Sequence, residues 1–111
     1  MTKDEFKKKL KGFKNDVNTI SFYLSKHGEK IYQKNKTDYL GKYMTSQEFI
    51  YKLLDDDGDL HYVLMIKEFD DLKVESVLIG VYDNEPFVSE TVFSLTTAYK
   101  RDKDTFLIKL S

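Results

Sequence analysis

The chain is 111 residues long, 33% of them charged, with a formal net charge of −1, one proline and no cysteine. That length predicts one domain, residues 1–111, and the absence of cysteine excludes a disulfide frame, a thiolate metal site and a cysteine nucleophile. The longest apolar run, Tyr62 to Ile66, is far below the roughly 18 residues of a membrane span, and Lys7, Lys8 and Lys9 interrupt any signal-peptide core, so a cytoplasmic protein with no membrane partner is expected.

The elements follow in chain order. Phe6, Leu10, Phe13, Val17, Ile20 and Leu24 recur at alternating spacings of four and three, which places them on one narrow helical seam. Thr2-Lys3-Asp4-Glu5 has the pattern of a capping box, and Gly28 that of a left-handed stop. The spacing predicts one helix over 3–26, with Gly12 on its outer face as the place for a bend. A short strand is predicted over 30–34, then a polar loop over 35–42. Thr45-Ser46-Gln47-Glu48 reads as a second capping box, opening a short helix with Phe49, Ile50, Leu53 and Leu54 on its apolar face. Asp55-Asp56-Asp57-Gly58-Asp59 ends it, because adjacent like charges and glycine oppose a further turn.

Beyond Leu60 the period shortens. Residues 61–69 and 73–82 predict a hairpin joined through Asp70-Asp71-Leu72, and Asp83 to Pro86 a turn. Residues 87–99 read as a strand, with a helix as the alternative. After a charged turn over 100–104, Phe106, Ile108 and Leu110 alternate in a last strand that is expected to belong to the core. The predicted class is α+β: an N-terminal amphipathic helix and a second short helix packed on one curved antiparallel sheet of four to five strands. From Tyr43 onward the order of a helix followed by long strands resembles the NTF2-like (cone-shaped α+β) proteins. That resemblance implies a small-molecule pocket or dimerisation through the sheet. It identifies no site residue.

The near-neutral total hides two unlike parts: lysines outnumber acids over residues 1–52, and acids dominate residues 55–90. The acidic run at 55–59 fails as an EF-hand loop, since Gly58 in the sixth position puts Leu53 first and Leu64 twelfth. Asp57, Asp71 and Lys73 share only a commonplace spacing with metal nucleases. His27 and His61 stand near acids or a helix end without a third group at characteristic spacing, and no phosphate-cradling glycine motif occurs. No cofactor, metal or catalytic residue is therefore assigned.

Two charged surfaces remain. Lys3, Lys7, Lys11 and Lys14 line one flank of the first helix and form an alternative basic site. A nucleic-acid accessory role for it is disfavoured, because one arginine in the whole chain is poor equipment for base or phosphate recognition. The acids Asp55, Asp56, Asp57, Asp59, Asp70, Asp71 and Glu85, with Tyr82 as an aromatic anchor, form the favoured set. Carboxylates around an aromatic suit docking onto a basic partner protein, so the expectation is a small non-enzymatic binding protein: an inhibitor, an immunity protein or a phage-type antagonist of a nuclease or defence enzyme. A homodimer is left open.

Overall fold

The computed structural model describes residues 1–14, 16–86 and 104–110. Two helices, α1 (Lys3–Lys11) and α2 (Val17–His27), precede five strands: β1 (Gly28–Thr37), β2 (Met44–Leu54), β3 (Leu60–Asp70), β4 (Lys73–Tyr82) and β5 (Thr105–Lys109). The strands form one antiparallel sheet in the order β1-β2-β3-β4-β5. The α+β class, with two helices and five antiparallel strands, is as the sequence indicates; the second helix, however, sits elsewhere.

The continuous helix expected over 3–26 is two helices. The Gly12 N–H closes α1 on the Lys8 and Lys9 carbonyls, and Lys14 then takes a left-handed φ of 57°. Asp16 restarts the chain as an N-cap, its carboxylate accepting from the Asn18 and Thr19 amides. The break leaves the seam in phase. Phe6, Leu10, Val17, Ile20 and Leu24 are all buried against the sheet, with Phe13 packed beside them. The capping box at Thr2 and Glu5 forms as expected. Gly28 is not a left-handed stop. Its φ is −124°, and α2 runs straight into β1. A Cβ there would lie 2.9 Å from the Leu24 carbonyl oxygen and 3.0 Å from the Leu53 Cβ, so glycine is required for close approach.

The helix expected from Thr45 through Leu54 is strand β2. The Thr45 hydroxyl, expected to cap a helix, donates to the Lys36 carbonyl across the ladder (3.2 Å). Phe49, Tyr51 and Leu53 face the helices, while Ile50 faces the other way and is equally buried. With both faces covered, the period-two alternation is invisible in the sequence. The helix on which the NTF2-like resemblance rested is thus absent. The short strand expected over 30–34 is also longer, taking in Asn35, Lys36 and Thr37 from the expected loop.

The 61–82 hairpin and the final strand form as expected, with Phe106 and Ile108 in the helix-side core. The reading of 87–99 lies outside the described residues. On the far face Ile50, Leu64, Ile66 and Leu78 form a second buried cluster, flanked by Tyr32, Tyr62, Tyr82 and Leu107. Among the described residues, no helix is long and apolar enough to cross a membrane.

Candidate functional site

Three segments meet at one end of the sheet: the start of α1, the β2–β3 turn at 55–59, and the exit of β4 at Asp83. Asp55 organises the turn. Its N–H donates to the Asp59 carbonyl (2.9 Å), its carbonyl accepts from the Gly58 N–H (3.0 Å), and Gly58 takes the φ of 84° that the reversal requires. One carboxylate oxygen of Asp55 accepts from the Asp57 and Asp59 amides (2.8 and 3.0 Å). The other lies 2.6 Å from the His61 Nε2 and 3.1 Å from the Met1 ammonium.

The Asp55 side chain is fully buried, yet its carboxyl is held well below the usual carboxylate range. Burial is the strongest single influence and pushes the pKa up. His61, the two backbone amides and the ammonium together outweigh it. The Met1 ammonium also contacts Asp59 (2.5 Å) and Asp57 (3.1 Å), and these carboxylates raise its pKa from 8.0 to about 11, Asp59 contributing most.

The two charged parts of the sequence therefore face each other. Lys9 pairs with Asp56 (2.5 Å), so the basic helix partly neutralises the acidic turn, and Lys3 pairs with Asp104 (3.3 Å) at the entry to β5. Lys11 lies 5.6 Å above the Phe106 ring. Lys14 falls beyond the end of α1, so of the four lysines of the expected basic site only Lys3, Lys7 and Lys11 share that helix.

The expected acidic set divides. Asp56, Asp57 and Asp59 are exposed at this end, and Glu85 is exposed three residues beyond β4. Asp55 is interior and serves the turn. Asp70 and Asp71 stand at the opposite end of β3, on the order of 30 Å away for a strand of that length. The Asp57, Asp71 and Lys73 trio is separated in the same way. Tyr82 is half-buried, with its ring folded back over Gly80: a Cβ on Gly80 would lie 2.7 Å from that ring.

Sequence reasoning missed Glu5 and Asp83 as neighbours of the turn, and it noted His61 near an acid without its pairing to Asp55. Glu5, Asp83 and His61, with Met1, Asp59 and Leu60, line an open hollow of about 450 Å³. Beyond Leu60 a second hollow of similar size is walled by His27, Leu53 and Leu54.

The chemistry available here is electrostatic. The carboxylates of Asp55, Asp57 and Asp59 lie within 4.8 Å of one another and could hold a cation; the one between them is the ammonium of Met1. The Asp55–His61 pair has its imidazole edge-on to Phe6, 4.7 Å between centroids, inside the core. The Thr2 hydroxyl beside the hollow accepts from the Glu5 N–H as a helix cap. No protein-family model, curated protein or solved structure matches this chain, so the reading of the site rests on its own geometry.

Proposed function

We propose that the protein is a non-enzymatic, cytoplasmic binding protein that presents the acidic end of its sheet to a basic partner protein, as an inhibitor, immunity protein or phage-type antagonist would. One observation carries this reading. Carboxylates from three separated segments (Glu5 on α1, Asp57 and Asp59 on the β2–β3 turn, and Asp83 beyond β4) gather at one end. Such a field speeds encounter with a positive surface, and the exposed Leu54 and Leu60 beside it supply apolar contact. Asp70 and Asp71 drop out of this surface, and Tyr82 is too enclosed to anchor it.

The test is affinity capture from the native host with the wild type and an Asp57→Asn/Asp59→Asn/Asp83→Asn/Glu85→Gln variant, at low and at physiological salt. The reading expects a basic protein retained by the wild type and lost from the variant, with retention weakening as salt rises. A partner held equally by both proteins, or one without a basic surface, overturns it.

A further inference from the structure

The opposite end of the sheet presents a different chemistry. There the β1–β2 loop and the β3–β4 turn emerge side by side, because Ser46 pairs with Glu68 just below them. The loop is closed from within. Asp38 donates its N–H to the Tyr43 carbonyl (2.9 Å), accepts from the Gly41 N–H on its carbonyl (3.0 Å), and accepts from the Lys42 N–H on its carboxylate (2.9 Å). This ordered loop holds its large apolar residues outward: Tyr39 is 95% exposed, Leu40 63% and Tyr43 52%. The neighbouring turn does the same at a conformational cost. Asp71 and Leu72 both have positive φ (46° and 72°), a geometry that two-residue hairpins ordinarily assign to Asn-Gly or Asp-Gly. A leucine in the left-handed region is a true outlier, and this one is 72% exposed.

We infer that this end is a self-association surface, on which two copies of the chain pack Tyr39, Leu40, Tyr43 and Leu72 against their equivalents. The four side chains offer on the order of 500 Å² of mostly apolar surface, at the upper end of what a monomer ordinarily leaves bare. With their charged flanks they approach the roughly 800 Å² per partner of a standard interface. The charges select the occupant. The exposed charged residues of the two loops are Lys42 and Lys73 against Asp70 and Asp71, and the half-buried Asp38 adds one carboxylate, which is bound to the Lys42 N–H. A surface with so little net charge gives weak electrostatic preference for an acidic or a basic partner and none for an anionic bilayer. Charges of both signs around an apolar centre can pair with their opposites across a two-fold axis.

The experiment is light scattering and sedimentation equilibrium on the full chain, from about 1 µM to about 1 mM, with Leu72→Gly and Tyr39→Ser/Leu40→Ser variants. The wild type is expected to reach twice the monomer mass within that range. Leu72→Gly is expected to weaken the dimer about tenfold or more while its melting temperature, read at a concentration where both proteins are monomeric, rises, because glycine relieves the left-handed residue. A merely structural leucine would not separate these two readouts. The double serine variant should stay monomeric with unaltered circular dichroism. A wild type monomeric throughout overturns the inference, as does a dimer untouched by these variants. So does a monomer that sediments with phosphatidylglycerol vesicles. An Asp57→Asn/Asp59→Asn/Asp83→Asn variant is expected to keep the dimer, so this surface and the acidic end fail independently.

Discussion

The two ends of the sheet are built by opposite rules. At the 55–59 end, polar groups distant in sequence satisfy one another: a buried aspartate holds two amides, a histidine and an ammonium, and α1 lays lysines against its neighbours. At the 38–43 and 70–73 end, each turn closes within its own few residues and leaves its apolar side chains in water. One end therefore contributes to holding the molecule together, while the other can change without loosening it. The distinction separates residues that stabilise from residues free to be selected for binding.

The comparison is tested most severely by Asp55→Ala, which leaves His61 buried without its partner and two turn amides unbound. The expected loss is the largest considered, roughly 10 °C or more in melting temperature. A shift of only a degree or two would erase the distinction between the ends. Next comes Gly28→Ala at the α2–β1 junction. The added methyl meets the Leu24 carbonyl and the Leu53 side chain, so a cost of about 1–3 kcal/mol is expected by chemical denaturation.

The pH dependence should be smaller but diagnostic. Because the Asp55 carboxyl is held below its ordinary value, its contribution is complete above roughly pH 4 and is lost as pH falls through the folded-state value. The ammonium, raised from 8.0 to about 11, contributes fully below pH 8 and loses that contribution as pH climbs towards 11. Melting temperatures across pH should therefore show an acid limb and an alkaline limb, and Asp59→Asn should flatten the alkaline one. Smallest of all, Tyr39→Ser or Leu40→Ser at the other end should change monomer stability by less than about 0.5 kcal/mol. A larger change would mean that this end supports the fold after all.

What the sequence disclosed follows from where its patterns are one-sided. The seam Phe6 to Leu24 was legible because only one face of the helices is buried, and β5 was legible through the alternation of Phe106 and Ile108. The break near Gly12 was legible only as a bend, since Val17 resumes the same phase on the far side. The strand at 44–54 was hidden by burial on both faces: Phe49, Ile50, Leu53 and Leu54 fit a helical stripe as well as they fit a ladder. The acidic turn was conspicuous by composition, but its partners Met1, Lys9 and Glu5 lie some fifty residues away, at distances that only tertiary structure closes. Asp70 and Asp71 looked like part of the same surface because the chain passes them soon afterwards. A full strand length intervenes.

The loopless passage from His27 to Gly28 fixes how this chain can be altered by insertion or deletion. One residue added there must either swing the buried stripe of α2 by about 100° relative to β1 or shift the pairing of β1 so that its inner and outer side chains exchange places. Lengthening at that joint is the change this architecture tolerates least, and natural variants or engineered grafts should avoid it while accepting extra residues between Asp38 and Tyr43.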